Sequence, residues 1–396
     1  MVELSDATYR WIADNDKADT TKLRLKHHGN PEMELAITQI ECRRKTSVKL
    51  ADTLRCERFL FPNLLSAEQA TSDRLAEFHA SLIEPGSSVL DMTCGLGIDA
   101  FHCARRAASV TAIDLNPEVA EAMSHNAGAL GISNIQTLCA DSTQWIAETR
   151  RRFDTIFIDP ARRGSNGERV FALSQCRPDV VGLLPQMAGI ARRAIIKASP
   201  MLDVSRTVAE LRCVEAVYLI GTPTECKELT AVIDFNLPDN HRPTIHAVTV
   251  GHPTVTFTTA EESATKVEPQ MPAKGMVLYE PFPSVLKSGA FSIFAHRYSL
   301  SPLHHHTHLY LSDKIDEGVP ARCYRILEAL PFSRQGIREL GELRQANTSV
   351  RNFIITAPQL SKKLKLRDGG PFHLFGVKAA NDTYMMLLLS PLSNNQ

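Results

Sequence analysis

Asp91, Asp114, Asp141 and Asp159 each close or directly follow a short apolar run in the first half of the chain. Between the first two lies a Gly-x-Gly turn, Gly95 and Gly97. Nineteen positions separate Gly95 from Asp114, the spacing of a nucleotide-binding βαβ unit, where an acidic residue about 20 positions on takes the ribose hydroxyls. The dinucleotide fingerprint wants a third glycine, and Ala100 stands there. Asp91 precedes the turn, and a carboxylate at a helix N-terminus repels a pyrophosphate. It attracts a cation instead. The chemistry implied is to hold a nucleoside with a positively charged tail and to present a second molecule to it. The presenting loop is Asp159-Pro160-Ala161-Arg162-Arg163-Gly164. Asp159 can accept a hydrogen bond from an amino or hydroxyl group, and Arg162 and Arg163 can grip a phosphate by forked hydrogen bonds. The plainer alternatives are an ordinary glycine turn and a proline-turned loop with solvated arginines.

These residues need a sheet to bring them together. Strands are expected at Ser88–Asp91, Val110–Asp114, Asn134–Cys139, Phe153–Ile158, Ala194–Lys197, Val214–Ile220 and Thr230–Phe235. Helices are expected at Ile98–Ala107, after Pro117, and over Leu202–Leu211. Alternation of this kind gives a mostly parallel, doubly wound α/β sheet. Ligands in such sheets bind beyond the carboxyl ends of the strands, where all four aspartates fall. Asp91-x-x-x-Gly95-x-Gly97, with Asp114 ending the next strand, resembles motifs I and II of class I methyltransferases. S-adenosylmethionine, with its sulfonium and α-amino group, is the cationic nucleoside this resemblance implies. Its candidate contacts are Asp91, Thr93, Gly95, Gly97, Asp99, Asp114, Leu115, Asp141 and Ser142. The candidate catalytic set is Asp159, Pro160, Arg162 and Arg163. The loop is closer to the Asp-Pro-Pro-Arg-x-Gly of 5-methyluridine methyltransferases than to the amino-directed pattern, which has an aromatic residue where Arg162 stands. Those enzymes carry a cysteine after the next strand; here the segment is Ala198-Ser199-Pro200. A covalent cysteine adduct is therefore not expected.

Composition sets the outer limits. The 396 residues suffice for two to four domains, and formal net charge is zero. No run is long and apolar enough to span a bilayer, and the N-terminus lacks the pattern of a secretory signal. Nine cysteines without a Cys-x-x-Cys pair point to reduced thiols and a cytoplasmic location. His304, His306 and His308 alternate, but no Cys or carboxylate clusters with them, so no metal is expected. Residues 1–85 read as a helical region, with Ser66 as an N-cap candidate and Gln69 and Ser72 as lid candidates. Thr224-Glu225-Cys226-Lys227-Glu228 reads as a tight turn, where Cys226 beside Lys227 could gain thiolate character. Beyond Phe235, His246–Val250 and Thr254–Phe257 read as strands of a small α+β domain.

The C-terminal part is basic. Ala321 to Gln396 holds eleven Lys/Arg against five Asp/Glu, a net of +6, which leaves −6 for the remainder. Arg344, Arg351, Lys362, Lys363, Lys365 and Arg367, with Asn352 among them, are the candidate contacts for a polyanion such as RNA. A solvated amphipathic helix is the alternative for LSKKLKLR.

Four segments extend the resemblance to nearly the whole chain. They are Phe61-Pro62 through Glu68-Gln69-Ala70-Thr71, the DPARR loop, Leu278-Tyr279-Glu280-Pro281 through Lys287-Ser288-Gly289-Ala290-Phe291, and Ala346-Asn347 through Arg351-Asn352-Phe353 into Lys365-Leu366-Arg367-Asp368-Gly369-Gly370. The chain resembles a bacterial family of class I methyltransferases with a C-terminal THUMP-like domain. That resemblance implies an N-terminal helical region (1–85), a Rossmann-like core (86–236), a ferredoxin-like α+β domain (237–320) and a THUMP-like domain (321–396). It implies a structured RNA, tRNA or rRNA, as partner. A methyltransferase for a small molecule or protein, and an RNA-binding protein with a vestigial cofactor fold, remain as alternatives.

Overall fold

The computed structural model describes residues 4–161, 172–341 and 343–392. Contacts divide the chain into two units: Met1–Ala198 with Ser205–Val214 and Ala231–His241, and Ser199–Val204 with Glu215–Thr230 and Arg242–Gln396.

The first unit opens with helices Asp6–Asp14, Thr20–Lys26, Pro31–Thr46, Leu64–Gln69 and Asp73–Ser81. Ser5, Asp19, Asn30, Asn63 and Ser72 precede them, and each side chain accepts a hydrogen bond from a backbone N–H of the first turn. Such caps satisfy donors that the helix leaves unpaired. Ser66 is therefore not a cap: it sits inside the helix that Asn63 starts, and its own N–H donates to Asn63 Oδ1 at 2.8 Å. Leu4, Ile12, Ala36, Ile40 and Leu60 form a small core beneath these helices.

The sheet of this unit contains β1 (Ser88–Asp91), β2 (Ser109–Asp114), β3 (Ile135–Cys139), β4 (Phe153–Ile158) and β5 (Ala191–Ala198), in the order β3-β2-β1-β4-β5. All four pairings are parallel. Parallel neighbours require a crossover, supplied by helices such as Ile98–Ala104 and Pro117–Ala129. Register decides which residues meet. Asp91 lies opposite Ala112 and Phe157, and Asp114 opposite Cys139. Ile158 lies opposite Ile196, so Asp159, just beyond β4, comes beside Lys197 near the end of β5.

The second unit holds β6 (Val214–Gly221) from Glu215 on, β8 (Thr244–Thr249) and β9 (Val255–Phe257). β6 pairs in parallel with β8, and β8 antiparallel with β9. β7 (Cys226–Asp234) gives Cys226–Thr230 to this unit and Ala231–Asp234 to the first. The stretches near His246 and Thr254 thus pair next to β6 and not with the strands that follow them. The reason is the β6–β8 register, which sets the apolar Val217, Leu219 and Ile220 beside Ile245, Ala247 and Val248.

A separate seven-stranded sheet follows. Its strands are β10 (Val277–Pro281), β11 (Ser301–Pro302), β12 (Tyr310–Ser312), β13 (Ala321–Pro331), β14 (Asn347–Arg351), β15 (His373–Lys378) and β16 (Tyr384–Pro391). Their order is β11-β12-β10-β13-β16-β15-β14. β10 pairs with β13 from Val277 opposite Arg325 to Pro281 opposite Ala321, so residues before and after 320 share one sheet. Alternate residues of β15 and β16 feed two cores. Phe375, Val377, Leu387 and Leu389 enter one; Leu374 and Met386 enter the other, as period-two side chains must. Among the described residues no helix is long and apolar enough to cross a membrane.

Candidate active site

The carboxyl ends of β1, β2 and β4 open onto a cleft of about 650 Å³ in the first unit, within the ~300–1,000 Å³ range of small-molecule sites. Asp91, Thr93, Gly95, Gly97, Asp99, Asp114, Asp159 and Pro160 line it.

The turn after β1 depends on its glycines. Gly95 has φ +51° and Gly97 φ +89°, a region that L side chains rarely enter. A Cβ on Gly97 would stand 2.7 Å from the Phe101 ring and 2.9 Å from Met123 Cγ. Gly97 then starts the helix Ile98–Ala104. The Gly95 N–H donates to Asp114 Oδ2 at 3.0 Å, and the Asn116 N–H to Asp114 Oδ1 at 2.8 Å. One carboxylate thus ties the glycine turn to the end of β2.

Asp91 is 2% exposed. Burial raises its carboxyl to about 8; the Thr93 N–H, donated at 3.0 Å, and Lys197 act against this, while the Asp99 and Asp159 charges add to it. Thr93 also joins the two halves of the site, because its hydroxyl accepts the Asp159 N–H at 2.7 Å.

Asp99 lines the cleft as well and is held within its wall. Its carboxylate accepts from the Thr71 hydroxyl at 2.5 Å, lies 2.7 Å from His79 Nδ1 and 3.2 Å from Lys197 Nζ. Burial alone would raise it, but Lys197 and His79 outweigh burial and hold it well below the usual carboxylate range. Leu115, Asp141 and Ser142 are not among the residues lining the cleft. Leu115 is exposed at the end of β2. Asp141 caps the helix Ser142–Glu148 by accepting from the Thr143 N–H at 2.9 Å and its hydroxyl at 2.6 Å, which holds its carboxyl low. Ser142 is buried in that first turn. Arg162 and Arg163 lie outside the described residues.

Three residues that sequence reasoning passed over belong to the site. Lys197, 3% exposed, lies 2.6 Å from Asp159 Oδ2. Its signal was a lysine within the apolar closing run of β5, AIIKA. Thr71 lines the cleft with Asn63, Leu65, Ser66, Gln69 and Ala70, so Gln69 is at the rim while Ser72 is spent as a cap. Arg177 also lines it, held by Ala161 through an antiparallel bridge with N–H to O distances of 2.7 and 3.2 Å. No local pattern marks Arg177, because that bridge closes over a sixteen-residue separation.

In the second unit the basic candidates divide. Arg344, Asn352, Lys362, Lys363, Lys365 and Arg367 are exposed. Arg351 is not a free cation: its guanidinium pairs with the buried Glu280 carboxylate and sits 5.7 Å from the Phe375 ring centroid. An interior carboxylate needs such a partner, and that is the role the structure gives Arg351. Cys226 also departs from expectation, since burial pushes its thiol up to about 11. The histidine run forms a turn. His304 is buried and 3.2 Å from Asp382, and His308 stacks on Phe291 with ring centroids 3.7 Å apart.

Comparison with known proteins adds the family context. Residues 89–177 match a methyltransferase domain, 278–320 a ferredoxin-like domain and 321–391 a THUMP domain-like module. A candidate methyltransferase of known crystal structure from Porphyromonas gingivalis W83 is 28% identical and superposes with a TM-score of 0.86, covering 99% of this chain and 100% of that one. The 23S rRNA (uracil(1939)-C(5))-methyltransferase RlmD of Vibrio parahaemolyticus is 33% identical over 133 residues, 31% of this chain and 30% of that protein. The 23S rRNA (uracil(747)-C(5))-methyltransferase RlmC of Pectobacterium atrosepticum is 29% identical over 121 residues, 30% of this chain and 31% of that protein. The chain thus spans less than a third of the length of these curated relatives. It carries a methyltransferase domain, followed by a ferredoxin-like domain and a THUMP domain-like module.

Proposed function

We propose that the protein is an S-adenosylmethionine-dependent methyltransferase acting on structured RNA, tRNA or rRNA. The observation that carries this reading is the meeting of Asp91, Gly95, Gly97, Asp114 and Asp159 on one cleft. The residues fit the cofactor. The buried Asp91 carboxyl calls for a cationic neighbour, and the glycine turn, at positive φ, presents bare backbone on the cleft. Asp114, already oriented by two backbone N–H groups, is the ribose ligand. Leu115, Asp141 and Ser142 extend the site toward the adenine. When bound, the cofactor supplies a methyl group activated by its sulfonium. The protein's share is alignment of the acceptor, worth many kcal/mol when the geometry is fixed. Asp159, Pro160, Arg162 and Arg163 serve the acceptor side.

RNA is favoured by the exposed Arg344, Lys362, Lys363, Lys365 and Arg367, and by the THUMP-like match. Two measurements test the reading. Titration calorimetry with S-adenosylmethionine should give saturable heat, and its absence at millimolar ligand removes the cofactor. Binding of bulk tRNA or rRNA should weaken steeply between low and moderate salt. A flat salt response would turn the assignment toward a small-molecule or protein acceptor.

A further inference from the structure

Lys197 bridges two carboxylates in the cleft wall. Its ammonium lies 2.6 Å from Asp159 Oδ2 and 3.2 Å from Asp99 Oδ2, and it donates to the Thr71 hydroxyl at 2.8 Å. The Phe157 ring centroid is 5.9 Å away. Burying an ammonium is costly unless it is matched by charge and hydrogen bonds, and these partners match it. Asp99 is enclosed and also holds His79. Asp159 is different, because its side chain stays 33% exposed and lines the cleft. Lys197 fixes that carboxylate from one side, and the Asp159 N–H to Thr93 hydrogen bond fixes its backbone from the other.

The set of nucleophiles in the cleft narrows the acceptor. Methylation of a uracil carbon through a covalent adduct needs a reactive thiolate. Among the described residues, Cys94 is the cysteine that lines the cleft, and it is buried between β1 and the glycine turn. Burial, with Asp91 and Asp114 nearby, pushes its thiol well up. Residues 162–171 contain no cysteine. An anionic oxygen held at the rim suits a different acceptor, one that brings its own lone pair and an N–H to donate.

We propose that the acceptor is a base nitrogen bearing hydrogen, an exocyclic amino or ring N–H group, presented by Asp159, with Lys197 as the positioning residue that holds Asp159 for it. This rests on the methyl-transfer reading above. The nitrogen lone pair forms the C–N bond as the methyl C–S bond breaks, and the bonding pair leaves on sulfur as a neutral thioether. The N–H proton passes to the Asp159 carboxylate and then to water.

The test uses the full chain, radiolabelled-methyl S-adenosylmethionine, and total RNA from cells lacking the gene. Digestion should place the label in N-methylated nucleosides. Label in 5-methyluridine overturns the inference and leaves RNA methylation standing. No label in any RNA overturns the RNA reading, and the inference falls with it. Lys197→Met and Asp159→Asn should each lower kcat about a hundredfold or more, with the cofactor Kd from calorimetry changed less than about threefold. Lys197→Arg, which restores the ion pair, should recover kcat to within about tenfold of the native rate. If arginine does no better than methionine, or if cofactor binding is lost in step with kcat, Lys197 is structural and the proposal fails. Should Lys197→Met not fold, Asp159→Asn at its partly exposed position decides, and an unchanged kcat refutes the assignment.

Discussion

A cation that binds beside Asp91 should displace a proton. Asp91 is buried at the end of β1 with its carboxyl raised to about 8. At pH 7 roughly nine in ten molecules would hold the proton, from the one-unit gap. A sulfonium or ammonium group favours the carboxylate, so binding at pH 7 should release about one proton from this site. Affinity should then rise about tenfold, or ~1.4 kcal/mol, for each pH unit up to about 8, and level off above it. Calorimetry at pH 7 in buffers of different ionisation enthalpy counts the protons released. The count for Asp91→Asn, subtracted from that of the native protein, separates Asp91 from the amino group of the ligand. Folding stability offers a second reading with a definite sign. The folded pKa lies above the unfolded value of about 3.9, so the folded state holds the extra proton between pH 4 and pH 8. Stability from this site therefore falls as pH rises through that window. Asp91→Asn should match the native protein near pH 4 and exceed it in stability at pH 8. Equal proton counts in the two proteins, together with parallel stability curves, would refute the argument.

Gly97→Ala should destabilise the first unit by about 2–3 kcal/mol in urea unfolding, because it combines a positive φ with a Cβ 2.7 Å from Phe101; a change below 0.5 kcal/mol would contradict the packing. Asp99 has a depressed folded pKa, so its stabilisation is present above about pH 4 and lost as pH falls. Asp99→Asn should accordingly flatten the acid side of the stability curve. Arg351→Ala should cost about 2 kcal/mol by taking from the buried Glu280 the nearer of its two arginines, with Arg322 left 3.7 Å away, as read by thermal or urea unfolding. The triple change of Lys362, Lys363 and Lys365 to Ala should leave stability within about 0.5 kcal/mol and lower the salt slope of RNA binding by about 2 to 3.

The legible part of this protein was the part governed by local patterns. Alternating strands and helices and glycines at fixed offsets are short-range signals, so the strands between Ser88 and Ile158 could be placed from sequence to within one residue and the helix Ile98–Ala104 to within three, while the short helix Ser142–Glu148 was not anticipated. Asp91, Gly95, Gly97 and Asp114 were legible for the same reason, since one βαβ unit contains them all. Lys197 was not, because its meaning comes from the β4–β5 register that sets it beside Asp159. Arg177 depends on a bridge to Ala161, and Arg351 on a buried glutamate on another strand, 71 positions earlier. The strands near His246 and Thr254 alternate like any edge hairpin, and nothing local says that they join β6. Charge counting found the basic C-terminal region, but it could not tell an arginine spent on an internal ion pair from one facing solvent.

Methyl transfer to RNA is read out by nucleoside mass spectrometry. RNA from cells with and without the gene would be digested and compared, with the gene restored as control. One methylated nucleoside should be lost without the gene, return on complementation, and fail to return with Asp159→Asn. A nucleoside profile that is the same in all of these cells would contradict methyl transfer to RNA.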